Sequence, residues 1–265
     1  MNQISFVNNE WNVVFSKMKH TSKFNKSDNN FIYGRIPVRS SIESNKVKRL
    51  LVQNGFSDDS LLRFAKEKAI SVEFVDQHFL NSVSKGGNHQ GVVAEVEEFK
   101  YSNLDEILLG CRDKKQPLIL ILDEIADPHN LGAIIRSCDA FGVDGIILKN
   151  RNQVQINMTV VKVSTGAIDH VKICQVSNIS NAIRVLKDSG FWIYSSDGSA
   201  KVNYDEVKYD RPTALVVGSE GNGISKLVLE NSDFIVKIPM LGHVNSLNVS
   251  VATGILLSNI RSSNK

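Results

Sequence analysis

Three short segments of this 265-residue chain hold residues able to do chemistry, and each follows an apolar run. The first is Asp123-Glu-Ile-Ala-Asp-Pro-His-Asn130-Leu-Gly132, with Arg136 four residues on. The second is Gly218-Ser-Glu220-Gly-Asn-Gly223. The third is Pro239-Met-Leu-Gly242-His-Val-Asn-Ser246-Leu-Asn248. Glycines between a strand and a helix let backbone approach a ligand closely. The order G-x-x-G-x-G is not the dinucleotide fingerprint, and no Gly-Lys-Ser/Thr is present. Glu220 would repel a phosphate at a helix N-terminus, so a neutral or cationic ligand is favoured there. A tight turn with Glu220 as a cap explains the same residues.

Arg136 lies in an early turn of its helix, where a cation gains nothing from the dipole. A guanidinium near a sheet's carboxyl edge suits bidentate phosphate contact, and a salt bridge to Asp139 or Asp123 is the alternative. Asn130 or Asp127 can cap that helix. Ser246 is a natural cap for the last helix, and Gly242 allows a sharp approach to it. Asn248 competes with helical backbone, which makes it a candidate for binding or orienting a ligand, with capping as the plain alternative. His129 and His243 stand in turns with no diagnostic partner. No metal-ligand spacing and no G-x-S-x-G elbow are present.

Ligands of open parallel sheets bind beyond the carboxyl ends of the strands, so the three segments need such a sheet. From 117 onward the pattern supplies one. Strands are predicted at Leu118–Leu122, Gly145–Leu148, Phe191–Tyr194, Ala214–Val217 and Phe234–Ile238. Helices are predicted at Leu131–Phe141, Asn178–Asp188, Ile224–Leu229 and Leu247–Ile260. This alternation means a mostly parallel sheet with helices on both faces. Residues 31–98 read as a smaller α/β module, with helices at Ser44–Gln53 and Leu61–Lys68, strands at Ser71–Val75 and Gly91–Glu98, and a polar turn at Lys85–Gly91. Residues 99–116 read as a polar linker. Residues 1–30, with seven Asn and four Lys, read as a poorly ordered tail with a short helix near Trp11–Met18.

Composition bounds the function. The chain is 42% hydrophobic and 22% charged, an ordinary globular mix able to bury its own core. No apolar run is long enough for a transmembrane helix. The net charge is +3, carried within the first hundred residues, which permits a nucleic-acid partner without demanding one. Three cysteines without a CxxC pair argue against a disulfide framework and a zinc site and favour a reducing, cytoplasmic setting. The N-terminus lacks a secretory or mitochondrial pattern.

Taken together and in order, Asn130-Leu-Gly-Ala-Ile-Ile-Arg136, Gly218-Ser-Glu-Gly-Asn-Gly223 and Ile238-Pro-Met-Leu-Gly-His-Val-Asn-Ser-Leu-Asn-Val-Ser250 resemble the SpoU/TrmH family of RNA 2′-O-ribose methyltransferases. The resemblance spans 117–265. Residues 31–98 are similar to that family's small RNA-recognising domain. Gly86-Gly-Asn-His-Gln-Gly-Val-Val-Ala94 is similar to the branch that methylates a guanosine of large-subunit ribosomal RNA. The resemblance implies a C-terminal trefoil knot, which connection rules alone argue against. It also implies a homodimer and S-adenosylmethionine held in the knot. The positions matching Gly218, Ile238 and Leu247 would hold that cofactor by backbone groups, with Gly223, Met240, Gly242 and Ser246 completing the set. The donor's sulfonium and lack of phosphate agree with Glu220 in the loop. Arg136 would be either the base for the 2′-hydroxyl or a phosphate anchor that also stabilises the alkoxide. Asn130, Glu220, Ser246 and Asn248 would complete the substrate side. Asn245 departs from the acidic residue frequent in the family, which could tune the substrate. Transfer RNA competes with ribosomal RNA as substrate. A non-catalytic RNA-binding protein of the same fold and a nicotinamide enzyme are the rival readings; the second lacks its fingerprint.

Overall fold

The computed structural model describes residues 31–219 and 221–263, so the expectations for the 1–30 tail and for Glu220 lie outside the described residues. The elements run β1 (Phe31–Tyr33), α1 (Arg35–Glu43), β2 (Val47–Gln53), α2 (Asp59–Glu67), β3 (Ser71–Val75), α3 (Gln77–Val83) and β4 (Val92–Val96). They continue with α4 (Leu104–Cys111), β5 (Leu118–Asp123), α5 (Pro128–Ala140), β6 (Gly145–Lys149), α6 (Met158–Val163), a 3-10 turn at Ala167–Asp169, β7 (Ile173–Val176), α7 (Ile179–Asp188) and β8 (Trp192–Ser196). The last are β9 (Val202–Asn203), β10 (Thr213–Gly218), α8 (Lys226–Glu230), β11 (Phe234–Lys237) and α9 (Val249–Ser262).

The first four strands form one sheet, in the order β1-β4-β2-β3. The predicted helix over Ser44–Gln53 is overturned: α1 ends at Glu43, and Val47–Gln53 is β2, paired with both β3 and β4. Leu50 and Val52 pack on one face and Leu51 on the other. A strand buried on both faces loses its alternation, and apolar residues at 47, 50 and 51 then mimic a helical period. Helices α1 and α3 are not among the predicted elements; each is short and packs a few apolar residues at helical spacing, Val38 and Ile42 in α1 and Phe79, Leu80 and Val83 in α3. Asp76 starts α3 by accepting the Phe79 N–H at 2.7 Å.

The second sheet has seven strands in the order β7-β6-β5-β10-β8-β11-β9, and its paired strands run parallel. Leu118–Leu122 is buried throughout, as its unbroken apolar run requires. Helices α5, α6 and α9 cover one face and α4, α7 and α8 the other. The segment 99–116, expected as a polar linker, contains α4. Asn103 and Glu106 close a capping box, and Ile107 and Cys111, four residues apart, press on the sheet while the charges face water. The stretch 150–177, to which no element was assigned from sequence, supplies α6 and β7.

Burial pushes the Cys111 thiol up to about 11 and that of Cys174 up to about 12, and Cys138 higher still, so all three are packing groups rather than nucleophiles. Among the described residues no helix is long and apolar enough to cross a membrane.

Candidate active site

The carboxyl ends of β5, β10, β8 and β11 stand side by side, because parallel pairing brings every strand out at one edge. At that edge β10 ends in Gly218. A β-carbon there would lie 2.2 Å from both the carbonyl carbon and the oxygen of Gly223, and 2.5 Å from the Ile224 nitrogen. No side chain fits that gap. The loop closes on itself across it: Ser219 N–H donates to Gly223 O at 3.1 Å, and Gly223 N–H donates to Ser219 O at 3.0 Å. Gly223 has φ +66°, the left-handed region that glycine enters without cost. The loop's exit is fastened to β5, since the Ser225 N–H donates to Asp123 Oδ2 at 3.0 Å.

Asp123 itself is buried. Its Oδ1 has no hydrogen bond, but Lys149 Nζ stands 3.6 Å away and bonds Glu124 at 2.6 Å. That bond to Glu124, and the charge of Asp123, hold the Lys149 ammonium above its ordinary pKa. The expected bridges from Arg136 to Asp139 or Asp123 do not form. Arg136 is exposed on α5, with no hydrogen bond or ion pair to a described residue.

Beside the loop lies a cavity of about 770 Å³, within the range of small-molecule sites. All seven residues expected around a cofactor line it: Gly218, Gly223, Ile238, Met240, Gly242, Ser246 and Leu247. Three distant stretches thus share one wall. The cavity is also lined by Ser196, Asp197 and Asn203, which no motif marked, and by Lys237. Their one sequence signal was general: Asp197 follows the apolar strand now seen as β8.

Asn130 and Asn248 are also brought together. Asn248 Nδ2 donates to Asn130 Oδ1 at 2.8 Å, tying the first turn of α5 to the start of α9. The expected cap at Ser246 is corrected. Asn248 is the N-cap of α9, accepting the N–H groups of Ser250 at 2.9 Å and Val251 at 3.4 Å. Asp127, not Asn130, caps α5, by accepting the His129 N–H at 2.8 Å. So Asn248 caps with its oxygen and reaches across with its nitrogen. We expect Asn248→Ala to cost about 1–3 kcal/mol through the lost cap and the lost hydrogen bond to Asn130, visible as a Tm lower by several degrees. Asn248→Asp keeps the cap and should recover part of that loss.

Of the predicted site residues, Arg136 stands apart from the cavity lining, Asn248 lies in the chain between the lining residues Leu247 and Val249, and Asn130 is joined to Asn248.

Comparison with known proteins agrees with this layout. The model of the SpoU rRNA methylase family matches residues 117–258, and that of the RNA 2′-O ribose methyltransferase substrate-binding domain matches 31–102. A Staphylococcus aureus (strain COL) protein assigned to the TrmH family of tRNA/rRNA methyltransferases is 41% identical over 231 residues, covering 85% of this chain and 93% of its own. Among solved structures, an AdoMet-bound rRNA methyltransferase from Sinorhizobium meliloti superimposes with a TM-score of 0.64 at 26% identity, covering 88% of this chain and 86% of that one. The SpoU methyltransferase AviRb from Streptomyces viridochromogenes shares the fold, with a TM-score of 0.66 at 24% identity over 88% of this chain and 89% of that one.

Proposed function

This chain belongs to the SpoU rRNA methylase family, and we propose that it transfers a methyl group to the ribose 2′-hydroxyl of a guanosine in large-subunit ribosomal RNA. It is an RNA methyltransferase of the SpoU/TrmH type, and its donor is S-adenosylmethionine. The observation that carries this reading is the single cavity lined by all seven cofactor candidates around the glycine-closed loop. The donor fits these residues. The cavity has the volume for a nucleoside with an amino-acid tail, backbone crowds it at Gly218, and the described lining holds no arginine fork for a phosphate.

When bound, S-adenosylmethionine supplies an electrophilic methyl on a sulfonium. The chain's own residues do the rest by holding the hydroxyl in line, which supplies much of such a rate. Bent backbone at Gly218, Ile238 and Leu247 offers N–H and C=O groups to the adenosine. Asn130 and Asn248 hold the two helix starts that face the substrate. We assign Arg136 the anchor's role rather than the base's. A guanidinium offers a planar fork of donors, so it can grip a phosphate and stabilise the developing alkoxide. Glu220 completes the substrate side. The trefoil knot belongs to the same proposal: β10 returns to the middle of the sheet, and the chain after it supplies both the cavity loop and α9. So do the homodimer, the cytoplasmic setting and RNA recognition by the module at 31–98.

The test offers purified protein, labelled donor and unmodified RNA. Large-subunit ribosomal RNA and total transfer RNA are supplied separately, digested to nucleosides and analysed by mass. The expected product is 2′-O-methylguanosine from ribosomal RNA alone. The same product from transfer RNA would keep the chemistry and overturn the substrate.

A further inference from the structure

We infer that Asp197 is a donor-binding residue whose carboxylate accepts a hydrogen bond from a ribose hydroxyl of the bound adenosine. This assignment rests on the S-adenosylmethionine reading above and adds a side-chain contact to a site otherwise built from backbone.

Asp197 stands directly after β8, at the carboxyl edge of the sheet, and its own N–H is fixed by donation to Val236 O at 2.9 Å. One carboxylate oxygen is occupied. Oδ1 accepts the Ser199 N–H at 2.9 Å and the Ser199 hydroxyl at 2.5 Å. Those two bonds lock the plane of the carboxylate. The other oxygen, Oδ2, has no hydrogen bond or ion pair to a described residue and faces Gly223. A β-carbon built on Gly223 would stand 3.7 Å from it. Both residues line the cavity. The turn alone needs one acceptor, which asparagine or serine would supply. The carboxylate therefore leaves a second acceptor, held rigid and aimed at the cavity.

The chemistry of that acceptor selects its partner. Among the described lining residues, Asp197 and Lys237 are the charged side chains. Lys237 ends the adjacent strand β11, which already places a positive charge at this rim. A second cation, the donor's ammonium, is disfavoured beside it. A ribose diol is neutral and rigid and calls for a fixed acceptor. An acidic residue at a strand's carboxyl end reads ribose hydroxyls in the dinucleotide folds for the same reason.

The test measures binding to the full-length protein by calorimetry. The ligands are S-adenosylhomocysteine and 5′-methylthioadenosine, which share the ribose but not the amino-acid tail. The key variant is Asp197→Asn. Its Oδ1 must stay on the two Ser199 donors, so the amide NH₂ replaces Oδ2 and turns an acceptor into a donor while the turn survives. We expect both ligands to weaken by about tenfold to a hundredfold, the range for a lost charge-assisted hydrogen bond, with the Tm unchanged. Loss of S-adenosylhomocysteine alone, with methylthioadenosine unaffected, would overturn the assignment and make Asp197 the ammonium's partner. Unchanged binding of both would also overturn it. A wild-type protein that binds neither ligand would overturn the donor reading itself, so the two failures are separable.

Discussion

Gly218→Ala abolishes donor binding and leaves the sheet folded; this is the result we expect. The added methyl would sit 2.2 Å from the Gly223 backbone and 2.5 Å from the Ile224 nitrogen. These atoms belong to backbone, so no rotamer change relieves the overlap. The loop must open, and the paired Ser219 and Gly223 hydrogen bonds break with it. Overpacking of this kind costs about 1–3 kcal/mol or more, and its effect falls on the wall of the cavity. We expect affinity for S-adenosylhomocysteine to fall by about 100-fold or more, measured by calorimetry. The body of β10, paired on both sides from Thr213 to Val216, should hold, so circular dichroism at 25 °C should match the wild type. Retained affinity would show that the cavity is not the donor site.

The second large effect lies on the other side of the reaction. Arg136→Ala should reduce methyl transfer by about 10²–10³-fold or more and leave donor affinity within about twofold. Arg136 is exposed and has no described partner, so its truncation should move stability by less than about 0.5 kcal/mol. Lost donor binding would mean that the role is misassigned. Arg136→Lys separates the two roles. A base must give up its proton, and lysine, with an ordinary pKa of about 10.4, does so more readily than arginine. An anchor relies on the planar fork, which lysine lacks. We expect the lysine variant to stay well below the wild-type rate. Equal or faster transfer would favour the base.

Much of this was legible in the residues. The unbroken run at Leu118–Leu122 gave a buried strand, and the alternation of apolar runs after 117 gave a parallel sheet covered on both faces. Three segments, each after a strand, pointed to one ligand-binding edge, because a parallel sheet delivers all its carboxyl ends there. The misreadings also have a physical cause. Val47–Gln53 is flanked by helices on both faces of its sheet, and in α4 the packed residues Leu104, Ile107, Leu108 and Cys111 adjoin an exposed Leu109, with Asp105 and Glu106 the charged side chains, so no clean apolar stripe stands out. In both, the periodic signal was diluted by what the neighbours cover.

The sequence by itself determined five of the seven strands of the large sheet, the three chemistry-bearing segments and the family. Local periodicity, glycine spacing and short motifs encode these, since they depend on residues close in the chain. The tertiary structure alone decided which atom does what. Whether Asn130 caps α5 or accepts across a helix pair depends on contact with a segment 118 residues away, while the choice of Asn248 over Ser246 as the cap of α9, and the lack of a described carboxylate partner for Arg136, depend on backbone and side-chain geometry that residue type alone does not fix. Asp197 belongs with them. Nothing near it in the chain marks it, and its free oxygen gains meaning only because parallel pairing sets the end of β8 beside that of β10, facing Gly223.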